Sequence, residues 1–482
     1  MKLKLDLSNL SELLPPHLND RQRADLQTRF LKNLSIEMHR YYGGKMQTLP
    51  KVGIWSSSWF NIWYTPGVSR VSTTIRDDHE TSFDLSNRGN LVAIVSDSSR
   101  VLGDGDCTSS GGLGVMEGKA LLMKYLGGVD AVSLCIDNRD PTGAPCPEKL
   151  IQFVRMIEPS FGAVNLEDIS QPNCYRVLDE LQQTCRIPVW HDDAQGTACV
   201  TLAGLLNALK VTGKELCAVK VVLLGSGAAN STVAKLLLKS GMPGCNITIF
   251  NSGGGLHRDR SDISSNPKFY RQWELCQLTN PDKITAIEDA LPKADVLIAL
   301  SKPGPDTIKP CWIASMRPSA IVFACANPVP EIYPYAAKEA GAAVVATGRS
   351  DFPNQINNSL GFPGILKGTL MARAARITDE MAICAAHTIA AFAARRGLHP
   401  DYIVPNMEDY DVFPEIAASV CVQAQKDGVA KKILTYDQAY QLAKNGIISA
   451  QNSLNALEEN GLIQAPHEDL LKQVLEETLK EK

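Results

Sequence analysis

The sequence predicts the α/β class: an N-terminal α/β domain built on a parallel sheet, followed by a second, doubly wound α/β domain. Three observations predict it. Short aliphatic and β-branched runs alternate with segments of helical periodicity through most of the chain, the pattern of repeated strand–helix–strand units. A strand, a glycine turn and a helix follow one another in VKVVLLGSGAANSTVAKLLLKSG (residues 219–241). At 482 residues the chain is too long for one ordinary core, so about two or three domains are expected. The boundaries we expect are a helical segment over 1–50, the first α/β domain over 51–195, the second over 196–430 and a helical arm over 431–482.

Composition excludes several classes. A hydrophobic content of 44% and a charged content of 21% are those of a soluble globular chain, and a net charge of -4 without a basic block argues against nucleic acid as the main partner. The opening MKLKLDLSNLSELL carries acids and no long apolar core, so it does not read as a secretory signal. MAICAAHTIAAFAA (Met381 to Ala394) is short, Ala-rich and interrupted by His387; it reads as a buried helix and not a membrane span. The 13 cysteines are scattered, odd in number and without any C-x-x-C, which points to reduced thiols in a cytoplasmic setting and away from zinc.

An amphipathic helix is expected from Asp20 to Tyr41. In VGIWSSSWFNIWYTPGV, Trp55, Trp59 and Trp63 recur every four residues, a stripe that reads as core or subunit contact before ligand stacking. Pro66 holds Thr65 extended and Pro-Gly favours a tight turn, so Tyr64 stands just before a fixed bend; alone, it reads as structural. LVAIVSD (Leu91 to Asp97) is a buried strand, and the Gly- and Ser-rich loop SSRVLGDGDCTSSGGLG leads from it into the helix VMEGKALLMKYL. On that helix Lys119 shares a face with Val115, Leu122 and Leu126. A lysine on an apolar stripe is expected to have a lowered pKa and a neutral amine; snorkelling to water is the equal alternative. A second strand, AVSLCIDN (Ala131 to Asn138), and a helix over 147–158 follow.

The stretch NLEDISQPNCYRVLDELQQTCRIPVWHDDAQGTACV (Asn165 to Val200) carries the most chemistry. Two apolar runs, AVN and IPVW, end in acid pairs, Glu167 with Asp168 and Asp192 with Asp193, on either side of a helix over 171–185. Both pairs then lie at the carboxyl edge of a parallel sheet, where such sheets bind ligands. Four carboxylates there repel one another, and a divalent cation relieves them. Capping of the following helices is the plainer alternative. Two pairs in equivalent positions favour the cation.

After Gly196 a helix, TACVTLAGLLNALKVTG, links to the second domain, which reads as Rossmann-type. Gly225 makes the turn, Gly227 admits a pyrophosphate, and the loop Gly225-Ser226-Gly227-Ala228-Ala229-Asn230 opens a helix whose N-terminus would face it; Asn230 replaces the usual third glycine. NITIF (Asn246 to Phe250) ends at Asn251, where a ribose-binding acid often stands. Without a carboxylate there, and with Arg258 and Arg260 nearby, the reading leans to NADP; a neutral contact to the ribose of NAD is the alternative. Strands at ADVLIALS (294–301), SAIVFACANP (319–328) and AAVVATG (342–348) end at Ser301, at Asn327 and in the loop GRSDFPNQINNSLGFPG, groups suited to orient a small polar ligand or an amide of the cofactor. Residues from about 430 are charged and helical, an arm that packs on the body or a second subunit.

Taken jointly, YTPGV, SRVLG, VMEGKALLMKYLGGVDA, NLEDI, IPVWHDDAQGTA, GSGAAN, ANPVPEI and ATGRSDFPNQINNSLGFPGI resemble the malic enzyme family in its shorter bacterial-type form, from about Trp63 to about Phe392. The resemblance implies oxidative decarboxylation of L-malate to pyruvate and CO2 with NADP or NAD and Mg2+ or Mn2+, in a homodimer. It implies Tyr64 as general acid and Lys119 as general base, with Glu167, Asp168 and Asp193 as metal ligands and Asp192 beside them. Arg100 would hold a substrate carboxylate, and Asn327 and Asn358 would contact the substrate. Gly103-Asp104-Gly105-Asp106-Cys107-Thr108 departs from the family's G-L-G-N-I-G, as do Asn230 and Asn251, which leaves the cofactor choice open. Two other readings stand beside it: a malolactic-type reaction that retains the cofactor and releases lactate, and a cofactor-binding regulatory protein without turnover.

Overall fold

The structure is a computed structural model and describes residues 7, 10, 14–101 and 103–480. Most of the N-terminal stretch read for a leader, together with Leu102 of the glycine loop, lies outside the described residues. The chain forms two compact units, Met1–Lys51 with Ser449–Lys482, and Val52–Ile448. In the first, helix α1 (Asp20–Tyr42) begins at an Asn19 capping box and packs Phe30 and Leu34 against Leu471 and Val474 of the last helix.

The second unit contains two sheets. The first has the order β2-β1-β3-β4, from β1 (Leu91–Ser96), β2 (Asp130–Cys135), β3 (Ala163–Leu166) and β4 (Val189–His191), all parallel. Continuous aliphatic runs make such strands because both faces are covered. Val92 and Ile94 point into a core with Met116, Ala120 and Met123 of helix α2 (Leu113–Gly127), while Ala93 and Val95 face Leu150, Val154, Val177 and Leu178 of α3 (Pro147–Ile157) and α4 (Asn173–Thr184).

The second sheet has the order β10-β9-β8-β5-β6-β7. Its strands are β5 (Val221–Leu224), β6 (Ile247–Asn251), β7 (Gly254–Gly255), β8 (Val296–Ala299), β9 (Ala320–Ala324) and β10 (Ala342–Thr347). All pair in parallel except β7, which is antiparallel on β6. The order reverses between β5 and β8, the place where doubly wound sheets bind dinucleotides. The two sheets are joined by α5 (Thr197–Thr212), which is buried along most of its length. Every strand expected from the sequence is present, and the α/β class stands.

Of the two readings of the tryptophan stripe, core or subunit contact, the first is corrected. Trp55 and Trp63 are exposed and no residue of their short helices is buried, so the stripe is not core. The 13 cysteines are all free, and among the described residues no helix is long and apolar enough to cross a membrane.

Candidate active site

The acidic cluster is made by strand ends. β3 runs from Leu166 directly into Glu167 and Asp168, and β4 runs from His191 into a π-helical turn, Asp192–Gly196, that opens α5. Leu166 pairs in register with His191, so the two acid pairs leave adjacent strands at one level. Asp168 adopts φ 54, and its N–H donates to Asp193 Oδ2 at 2.8 Å. Glu167, Asp168 and Asp193 each offer an oxygen, and all three oxygens lie within 4.8 Å of one another.

Asp192 faces elsewhere. Lys119 Nζ donates to Asp192 Oδ2 at 2.5 Å and lies 3.1 Å from Glu167 Oε1, while Trp190 Nε1 donates to Asp192 Oδ1 at 3.1 Å. Three carboxylates, not four, converge on one point. A side chain at Gly196 would collide with the Asp192 carboxylate and come 3.3 Å from Asn358 Cβ, so that glycine lets Asn358 approach the turn that carries Asp192.

Lys119 is buried on the face of Met116, Ala120 and Met123, with its ammonium 4.7 Å from the Phe362 ring centre; Val115 and Leu122 are half-buried to the side. The expected fall in its pKa is overturned. Burial pushes the value down, but Asp192, Glu167 and Asp193 hold it above that of an ordinary lysine. Glu167 shows the opposite strain: burial raises its pKa well above the usual carboxylate range, Lys119 offsets part of that, and the three neighbouring acids raise it further. A lone ammonium does not satisfy this cluster. A hard divalent cation fits the all-oxygen donor set.

Around the cluster, the Arg100 N–H donates to the Asp168 carbonyl at 3.0 Å, and no ion pair among the described residues engages its exposed guanidinium. A Cβ at Gly103 would fall 2.5 Å from the Asn327 carbonyl, which brings the Arg100 loop and Asn327 side by side. Of the two acids that loop adds, Asp106 is answered locally, because Arg139 donates to both its oxygens at 2.8 and 2.9 Å. The two acids at the ends of β1 and β2 take no part in the cluster. Asp97 accepts from Ser99 and Asn138, and Asp137 from Ser109. Tyr64 is 71% exposed, and its hydroxyl bonds to none of these residues.

At the switch point Gly225 has φ 98, and a Cβ there would stand 2.6 Å from the Leu300 carbonyl. Only glycine fits. A Cβ at Gly227 would meet nothing closer than Gln171 Oε1 at 4.0 Å, so the loop is uncrowded at the N-terminus of α6 (Ala228–Lys239), which opens with Ala228 and Ala229. Asn230 explains its own presence: its amide donates to the Leu224 and Gly225 carbonyls at 2.9 and 3.0 Å and so locks the turn. Asn230→Ala removes both bonds from a buried site and is expected to cost about 1–3 kcal/mol, read as a fall in the urea midpoint at unchanged m. At the end of β6, Asn251 Oδ1 accepts from Gly253 N at 2.9 Å and from both terminal nitrogens of Arg260 at 3.3 Å.

Comparison with known proteins identifies the family. The family description "Malic enzyme, N-terminal domain" matches residues 43–182, and "Malic enzyme, NAD binding domain" matches residues 194–425. A bifunctional malic/malolactic enzyme of Bacillus subtilis is 40% identical over 402 residues, covering 83% of this chain and 95% of that protein. The chain belongs to the malic enzyme family. An NAD-dependent malic enzyme of Geobacillus stearothermophilus is 44% identical over 81% of this chain and 79% of its own length. An NADP-dependent malic enzyme of Halomonas elongata is 37% identical over 77% and 87%. The crystal structure of the Entamoeba histolytica malic enzyme is 53% identical, covers 99% of both chains and superposes with a TM-score of 0.97.

In this malic enzyme family member several residues of the site carried no readable signal in the sequence. Glu331 is buried and binds Ser301 N and Oγ at 2.8 and 3.0 Å and Ala326 N at 3.0 Å, fixing two strand-end loops at once. Gln171 and Gln272 both donate to the Ser226 carbonyl, so the glycine loop is held from two sides. Asn165 Nδ2 donates to Glu167 Oε2 at 2.9 Å and orients that acid. His191 is buried 3.9 Å from Asp193, and burial pushes its pKa down, toward the neutral ring. The tract WHDD was legible as an acid pair; its Trp and His are read only once the strand is placed.

Proposed function

We propose that this protein converts L-malate, NADP or NAD to pyruvate, CO2 and reduced nicotinamide, in dependence on Mg2+ or Mn2+. The observation that carries the reading is the Lys119 amine set between Asp192 and Glu167 at the rim of three convergent carboxylates. Glu167, Asp168 and Asp193 would hold the cation. When bound, it acidifies a hydroxyl, neutralises the acids that keep Lys119 protonated and stabilises developing enolate charge.

Lys119 accepts the C2 hydroxyl proton as hydride leaves C2 for the nicotinamide, with Asp192 fixing the direction of the amine. The oxo acid so formed loses its C4 carboxylate as CO2, and Tyr64 returns a proton to C3. Arg100 pairs with a substrate carboxylate, and Asn327 and Asn358 orient the substrate from the second domain. Gly225 to Asn230, Asn251 and Ser301 hold the cofactor. Malate with Mn2+ and NADP should yield reduced cofactor, pyruvate and CO2 in equal amounts. Lactate with no net reduced cofactor would replace this reading by the malolactic one, which the name of the Bacillus subtilis relative supports. Absence of any effect of chelation on turnover would remove the metal from it.

NADP is the favoured acceptor in this proposal. No carboxylate stands at Asn251 to repel a 2′-phosphate, and the Arg260 guanidinium reaches that side chain. The preference is modest because Asp262 grips Arg260 with two bonds of 2.7 Å and offsets its charge. Arg260→Ala should lower the ratio of kcat/KM for NADP over NAD and Asp262→Asn should raise it, each by about tenfold, the weight of one charge-assisted contact. Equal ratios in all three proteins would take Arg260 out of the site. With its cysteines free, we place the protein in the cytoplasm.

A further inference from the structure

Glu331 has no exposed surface, and among the described residues no ion pair engages it. Its carboxylate is held by neutral donors. Oε1 accepts from Ser301 N at 2.8 Å and from Ser301 Oγ at 3.0 Å, and Oε2 accepts from Ala326 N at 3.0 Å. Two backbone N–H groups and a hydroxyl aimed at its two oxygens favour the ionised form and work against the rise in pKa that burial imposes. The cation of the neighbouring loop is already taken: Arg349 gives Nε and Nη2 to Asp351 at 2.8 and 2.7 Å, and Nη1 to the Pro328 carbonyl at 2.9 Å. Glu331 therefore places a negative charge at the ends of two strands, and its hydrogen bonds spread that charge without cancelling it.

The place of that charge decides what it acts on. The second sheet reverses its order between β5 and β8. A dinucleotide on such a sheet lays its adenosine half over the first strands, here β5 and β6, and its nicotinamide half over the other side, here β8 and β9. Ser301 and Ala326 are the second residues beyond β8 and β9, and Asn327 comes next. Glu331 so lies behind the two loops that face the nicotinamide. Hydride transfer changes the charge of the cofactor at that ring alone: it is a cation before it accepts hydride and neutral after. A fixed negative charge tells the two forms apart.

We propose that Glu331 is the counter-charge of the oxidised nicotinamide ring, so that this chain discriminates between oxidised and reduced cofactor through a carboxylate that touches neither. The inference rests on the cofactor reading above, in which Ser301 and Asn327 line the nicotinamide site. The charge favours entry of the oxidised cofactor and eases release of the reduced one. A clamp that served only to join the two loops would hold both forms equally.

Dissociation constants for NADP and NADPH, measured by calorimetry on the full chain without malate, test it. Glu331→Gln removes the charge and keeps the shape, whereas Glu331→Asp keeps the charge and shortens the reach. In Glu331→Gln the ratio of the NADPH constant to the NADP constant should fall about tenfold, the weight of one unit charge acting across a loop at the effective dielectric of a protein, and in Glu331→Asp it should stay within about twofold of wild type even where both constants rise. Loss of both affinities together in Glu331→Gln, with the ratio kept, makes the residue a clamp and overturns the inference, as does a ratio that moves in Glu331→Asp alone. Should neither variant fold, the wild-type protein decides. NADPH bound more than about a hundredfold tighter than NADP leaves no room for a counter-charge and overturns the inference, and any weaker preference for NADPH supports it. Binding of neither dinucleotide would instead overturn the cofactor reading.

Discussion

Lys119→Ala is expected to lower kcat for malate oxidation by about a thousandfold or more while Mn2+ still binds. The magnitude follows from the role, since a positioned base contributes on the order of 10²- to 10⁴-fold, and from the site: among the described residues no second amine stands at Asp192 and Glu167 to replace it. The same change strips two buried acids of their cation. Breaking a buried pair of this kind costs about 3–5 kcal/mol, so the metal-free variant should melt well below wild type, and Mn2+ should recover part of the difference by binding the acids left behind. Two readouts then part company. Steady-state formation of reduced nicotinamide reports the base, and Mn2+ titration by paramagnetic resonance reports the acids. A small primary amine in the buffer should restore some turnover to Lys119→Ala and none to a variant lacking an acid. Turnover within tenfold of wild type would take Lys119 out of the proton transfer.

The parallel strands of both sheets were legible because strands covered on both faces are short, uninterrupted aliphatic runs; β7, two glycines antiparallel on β6, carries no such run and was not expected. The cluster was legible for the same reason: acids that directly follow such runs must lie at the carboxyl edge. What patterning alone could not resolve, and only the family resemblance suggested, is which acid of HDD joins the cluster. Asp192 and Asp193 are neighbours of one residue type, and only the π-helical turn sends the first to Lys119 and the second to Asp168. The protonation of Lys119 failed on distance. Its helical face reads as apolar, and the partner that reverses the shift is 73 residues away in the chain. Glu331 was hidden in the same way, since nothing local marks a carboxylate that accepts from the backbone N–H of Ser301, 30 residues away; Arg260 was read as a nearby cation, but a neighbouring Asp262 does not by itself reveal that it grips that guanidinium. The tryptophan stripe had the right periodicity for a buried face; exposure is a property of what surrounds a helix, and the sequence of the helix does not contain it.

Asp193→Ala is expected to weaken Mn2+ binding by about a hundredfold or more and to take turnover down with it at limiting metal. Of the three oxygens that can meet one cation, Asp193 supplies one, and its carboxylate also accepts the Asp168 N–H at 2.8 Å, where the backbone sits at φ 54. Loss of that acceptor removes the bond that holds Asp168 in a conformation unfavourable for a residue with a Cβ, so one substitution damages two of the three ligands. Asp192→Asn, one residue earlier, gives the contrast. Asp192 bonds Lys119 and Trp190 and lies outside the ligand set, so this variant should keep its Mn2+ affinity within a few-fold and lose kcat instead. The pair of adjacent substitutions therefore separates metal binding from proton transfer. If Asp193→Ala binds Mn2+ as wild type does, or if Asp192→Asn is the one that loses the metal, the turn after β4 has been assigned the wrong way round.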